Sequence, residues 1–75
     1  MSLNEIKVGE RVMVLDINKE APLRQRFLDL GIVSGMKIKC VLESPFQNPK
    51  AYEIRGAVIA IRNEDANFII VERSN

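Results

Sequence analysis

Histidine and tryptophan are missing from this 75-residue chain, cysteine occurs once, and aromatic residues make up only 5% of it. Each shortage removes a class of function. Without histidine the chain lacks the side chain that most often serves as general base and as metal ligand near neutral pH. A single cysteine closes no internal disulfide, which fits a reducing compartment. Apart from Glu64 and Asp65 in a polar link, no carboxylates recur at a spacing that would bring two together. Gly31-x-x-x-Gly35 lacks the Gly-Lys-Ser/Thr ending of a phosphate loop and leads into a strand pattern. Neither catalysis nor a small-molecule substrate is expected, and no cofactor or metal.

Charge of one sign is not in excess: eleven basic and ten acidic residues leave a formal net charge of +1. Nucleic-acid modules draw most of their affinity from phosphates and carry a basic surplus, so nucleic acid is not the expected partner. No run of about 18 apolar residues is present to span a bilayer. The first ten residues, MSLNEIKVGE, lack the apolar region of a secretory signal. The expectation is a cytoplasmic chain with no segment of its own in a membrane. A groove for proline peptides is disfavoured too, because such grooves need several aromatics, and here there are one Tyr and three Phe.

Apolar residues reach 47% and charged ones 28%, which suits a single folded domain over residues 1–75. A chain this short buries only roughly 60% of its unfolded surface. Its core must be thin and built from Val, Ile, Leu and Met.

The most telling stretch is LRQRFLDLGIVSGMKI, Leu23 to Ile38. Leu23, Phe27 and Leu30 share one helical stripe, with Arg24, Gln25, Arg26 and Asp29 on the flanks. Pro22 suits the first helical position, and Gly31 the left-handed residue after the last turn. Gly35 permits a second sharp turn. Met36, Ile38, Cys40 and Leu42 then alternate with Lys37, Lys39, Val41 and Glu43, the period of a strand. By its place in that alternation Cys40 faces the core as an inert thiol.

Around this stretch, Leu3 to Glu10 reads as an arm whose Leu3, Ile6 and Val8 cover one end of the core. Strands are expected at Arg11–Ile17, about Met36–Glu43, Ala51–Arg55, Ala57–Arg62 and Phe68–Glu72, and a helix at Pro22–Leu30. The link NEDAN, Asn63 to Asn67, suits one helical turn capped by Asn63. Gly56 marks a kink or bulge where the sheet bends. The fold class is all-β with one short helix: a curled antiparallel barrel of about five strands, the helix inserted after the first strand and plugging one end with Leu23, Phe27 and Leu30.

Helix, Gly-x-x-x-Gly and strand in this order resemble the core signature of the FeoA family of small bacterial proteins. Arg26, Leu28, Leu30, Gly31, Ile32, Gly35 and Ile38 fill its places. SPFQNPKAYEIRG, Ser44 to Gly56, resembles the family's proline-bearing hairpin loop and strand, and Ala57 to Glu72 its closing strands. Phe27 replaces a commoner aliphatic residue, and Val33-Ser34 replaces Thr-Pro. The resemblance implies an SH3-like barrel and an accessory of ferrous-iron uptake that neither catalyses nor binds iron. It also implies contact with the cytosolic part of the FeoB transporter, which carries a GTP-binding domain. A stand-alone relative of the C-terminal domain of DtxR-type repressors and a small-barrel nucleic-acid module are the alternatives.

For a partner surface the candidates are Arg24, Leu28, Phe46 and Ile70. An arginine can complete a GTPase site in trans, but that role asks for a protruding loop rather than a short packed helix. Arg24 is therefore read as a surface contact. Leu28 lies off the main stripe, either packing on Ile32 or serving as an exposed anchor. Phe46, between Pro45 and Pro49, either folds over the barrel rim or binds. Phe68 and Ile70 share one face of the last strand and Ile69 and Val71 the other, so one pair can form an outward apolar patch. Leu23, Phe27, Leu30, Gly31, Gly35 and Gly56 are assigned to structure.

Overall fold

In the structure, a computed structural model that describes residues 1–74, a 3₁₀ turn at Leu3–Glu5 precedes strand β1, Arg11–Ile17. Helix α1 follows at Arg24–Asp29, then β2 (Lys37–Glu43), β3 (Lys50–Ile54), β4 (Ala57–Ile61), the one-turn helix α2 (Asn63–Ala66) and β5 (Ile69–Arg73). Strand ends fall within one residue of those expected. The strands form one antiparallel sheet in the order β4-β3-β2-β1-β5. The molecule measures 30 × 26 × 22 Å, and buried side chains from all five strands meet in one cluster with Phe27 of the helix, the sheet curling around that core. β4 and β5 do not pair, and the sheet keeps two ends.

Two bulges decide which side chains enter that core. Across β1 and β5 the register runs Val14↔Val71 and then Asp16↔Ile70, so Leu15 is the extra residue. Across β2 and β3 it runs Cys40↔Tyr52 and then Leu42↔Ala51, so Val41 is extra. An extra residue reverses the alternation beyond it. Val12, Val14 and Ile17 are therefore all buried, although strict alternation would turn Ile17 outward. Leu42, expected to point inward with Ile38 and Cys40, is instead 62% exposed.

The helix also departs from expectation at its start. Pro22 is not its first residue. Turns closed by Ala21 N–H to Asn18 O and Arg24 N–H to Ala21 O precede it, and Leu23 is the N-cap. Leu23 consequently lies at the helix mouth, 36% exposed, and takes no part in the plug. Phe27 is buried, and Leu30 is half-buried against the same cluster. The helix end follows the sequence signal closely. Gly31 N–H donates to Leu28 O and Ile32 N–H to Phe27 O, each at 2.9 Å, the paired bonds of a Schellman stop, with Phe27 and Ile32 both buried beneath it.

Gly31 has a φ of 85°, and a Cβ there would stand 2.7 Å from Cδ and Nη1 of Arg55. Gly31→Ala should cost about 1–2 kcal/mol, mainly through the left-handed backbone. Arg55→Ala in the same chain should recover only the smaller, steric part, since a long side chain can move aside. Chemical denaturation of the two single variants and the double variant measures both parts.

Gly56 is not a kink. With Arg55 (φ 52°) and Gly56 (φ 82°) between the paired residues Ile54 and Ala57, it completes a two-residue hairpin turn. Near the N-terminus Leu3 and Ile6 are buried as expected, but Val8 is exposed. Lys50 holds this segment down. Its ammonium, on a residue only 7% exposed, donates to the carbonyls of Asn4 (2.7 Å) and Ile6 (2.9 Å).

Candidate functional site

The loop from Ser44 to Pro49 is tied by six hydrogen bonds, three within it and three to α2. Gln47 N–H donates to Ser44 O, Asn48 N–H to Ser44 Oγ, and Ser44 N–H to Pro49 O. From below, Asn63 N–H donates to Asn48 Oδ1, Asn48 Nδ2 to Glu64 Oε1, and Asn63 Nδ2 to Gln47 O. Asn63 was expected to cap α2. It is instead the first residue of that helix, after an Arg62 cap, and its side chain serves the loop. The bond from Asn48 is among the causes holding the Glu64 carboxyl below its ordinary range, after a bond from its own backbone N–H.

This bracing presents one side chain. Phe46, at the tip, is 90% exposed. It does not fold over the barrel rim. An exposed ring on a braced loop carries little ordering cost when it is buried by a partner.

Beside the loop, cross-strand register lines up Leu42, Ala51 and Ala60 on the outer face of the sheet. Leu42, Pro49, Ala51 and Ala60 line a shallow depression there. A larger groove of about 550 Å³ lies on the other side of β4, between that strand and α1. Pro22, Leu23, Arg26, Phe27 and Leu30 form its helix wall, and Ile59, Ala60, Ile61, Arg62 and Asp65 the opposite wall. Ala60 belongs to both, so β4 separates the two depressions.

The candidate residues distribute unevenly over this surface. Phe46 stands on the loop, and Arg24 is exposed on α1. Arg24 and Arg26 make no ion pair with Asp29, whose carboxylate accepts instead from Gln25. Leu28 is half-buried and packed on the core, so it belongs to the seat of the helix and not to an exposed anchor. Ile70 is half-buried, opposite Asp16 on one side and bridged to Ser2 on the other. Ile69 and Val71 form the inward pair of that strand.

Sequence reasoning missed Leu23, Leu42, Arg55 and Val58 as surface features. Arg55 joins Arg11, Lys37 and Lys39 around a small depression whose lone carboxylate is Glu53. Cys40 is fully buried, and its burial pushes the thiol above its ordinary range. Tyr52 lies beside it, equally buried, its hydroxyl without a hydrogen-bond partner and raised for the same reason. Among the described residues no three Cys, Asp or Glu side chains converge, and no helix is long and apolar enough to cross a membrane.

Comparison with known proteins places this geometry. A family model described as the FeoA domain matches residues 1–73. The Fe(2+) transport protein A/Fe(2+) transporter FeoB fusion protein of Porphyromonas gingivalis is 32% identical over 96% of this chain, which spans only 8% of that protein's length. An FeoA-like protein from Clostridium acetobutylicum, solved by NMR, superposes with a TM-score of 0.90 at 33% identity, covering 97% of this chain and 85% of that one. The zinc complex of FeoA from Stenotrophomonas maltophilia, described as a prokaryotic SH3 domain protein, superposes with a TM-score of 0.85. At 21% identity, over 96% of this chain and 89% of that one, it shares the SH3-like fold.

Proposed function

The chain belongs to the FeoA family, and on that premise we propose that it is a cytoplasmic accessory of ferrous-iron uptake, acting by contact with the GTP-binding, cytosolic part of a FeoB-type transporter. The observation that carries this reading is the fusion protein, in which a domain like this one is covalently joined to FeoB. Fusion keeps two partners at high effective concentration, which is useful only where they meet. The surface fits contact rather than turnover. It offers an exposed ring on a braced loop, an apolar shelf beside it and a cluster of four cations around Glu53. Catalysis has no place in the reading, and ferrous iron is the transporter's cargo.

Phe46 is the contact residue with the clearest geometry, and Arg24 lies on a second exposed element. Phe46→Asp should weaken binding to the purified cytosolic region of the cognate transporter at least tenfold, about 1.4 kcal/mol. The denaturation midpoint should stay unchanged, because a ring this exposed contributes little to the fold. Isothermal titration of wild type and variant checks both arms. Unaltered affinity in the folded variant would remove Phe46 from the interface. The basic depression makes a nucleic-acid control worthwhile: titration with duplex DNA should show no saturable, salt-dependent binding.

A further inference from the structure

We propose that the free edge of β4 receives an extended segment of the transporter's cytosolic region as an added strand, its side chains seated in the groove under α1. The inference rests on the transporter reading and specifies how that contact is made.

The hairpin geometry identifies the available backbone groups. Ile54 and Ala57 flank a two-residue turn, so they form a pair that exchanges both hydrogen bonds. Bonded and non-bonded pairs then alternate along an antiparallel ladder. Ile59 and Ile61 therefore turn their N–H and C=O groups to β3, and Val58 and Ala60 turn theirs away. Among the described residues nothing takes them up: β4 ends the sheet, and no loop or turn hydrogen bond involves residues 57–61. The other end of the sheet is different. There Met1 and Ser2 lie along β5, with Val71 N–H donating to Met1 O and Ser2 bridging to Ile70.

The groove is lined by consecutive residues, Ile59 to Arg62, so its wall is the edge of the strand and not one of its faces. Strand addition takes affinity from such main-chain groups and specificity from pockets for alternate side chains. Across the groove Leu23 and Leu30 supply apolar contact, and Arg26 supplies charge. Neither Arg26 nor Arg62, on the opposite wall, has an ion-pair partner among the described residues, and Asp65 is the one carboxylate of the lining, so the groove carries a net positive charge. The segment that fits carries apolar side chains on alternate residues and a carboxylate to meet Arg26. A second copy's β4 fits poorly. Its sequence, AVIAI, has no carboxylate and is bracketed by Arg55 and Arg62.

Amide hydrogen exchange followed by NMR tests this directly on the intact chain. In the free protein Val58 and Ala60 amides should exchange rapidly, and those of Ile59 and Ile61 slowly. Saturation with the purified cytosolic region of the cognate transporter should slow Val58 and Ala60 at least tenfold. Ala60→Pro removes one outward donor without touching a bond to β3, and Arg26→Glu reverses the groove's charge. Each should weaken binding at least tenfold. Wild-type binding that leaves Val58 and Ala60 exchanging rapidly would overturn the added strand and leave the transporter reading standing. Failure of the wild type to bind would overturn both. Protection that rises with the concentration of the free protein would assign the edge to a second copy and overturn the proposal.

Discussion

Phe27→Ala should lower the free energy of unfolding by about 3 kcal/mol or more, the usual cost of deleting a buried ring from a core that cannot collapse to fill the gap. In a domain of this size that is a large share of the total, which runs to about 5–15 kcal/mol for ordinary domains. The ring is nearly inaccessible and is the one fully buried side chain of α1. Leu23 lies at the helix mouth and Leu30 is only half-buried, so neither can compensate. The same residue anchors the helix stop, because its carbonyl accepts from Ile32 N–H. Urea denaturation should show a lower midpoint with an unchanged slope. A loss below about 1 kcal/mol would mean that α1 contributes little to the core.

Lys50→Met should cost about 2 kcal/mol, with a local signature. Methionine keeps the apolar stem and removes the buried charge, which by itself relieves a desolvation penalty. It also leaves the carbonyls of Asn4 and Ile6 without the donor at 2.7 and 2.9 Å that now serves them both. Hydrogen bonds from a charged donor are the stronger kind, and stranding two acceptors outweighs the relief. The segment from Leu3 to Ile6 should lose exchange protection well before β2 and β3 do. Equal loosening across the sheet, or a stability change under about 0.5 kcal/mol, would show that Lys50 does not secure the N-terminal segment.

Those two residues mark how much was legible beforehand. Strand β1 was readable because Val12, Val14 and Ile17 stand between clear breaks, and the helix stop because Gly31 follows a periodic run. Both signals are local. The two bulges were not readable, since an extra residue leaves no mark on composition and only pairing reveals it. Leu42 was therefore assigned to the wrong face. Gly56 was misread because Arg-Gly is not among the usual turn pairs, although Arg55 does adopt a positive φ. The role of Lys50 depends on backbone more than forty residues away. The bracing of the Phe46 loop depends on Asn63, whose sequence context argued equally for a cap. On the candidate surface, Phe46 could be named in advance because an aromatic between prolines in a polar loop has little core to enter. The groove could not, because it needs Leu23 displaced from the helix stripe.

The charges bracketing β4 bear on how this protein behaves at high concentration. Ala57 to Ile61 is a five-residue apolar stretch, three of its residues β-branched, on the outer edge of the sheet, and uncharged apolar edge strands of this kind are where ordered aggregates start. Arg55 stands two residues before it and Arg62 directly after, in the positions where gatekeeper charges interrupt stacking of identical strands. Stacked copies would bring like charges into register at both ends of the stretch. Two exposed arginines, one of them in the hairpin turn itself, thus oppose edge-to-edge stacking of free chains.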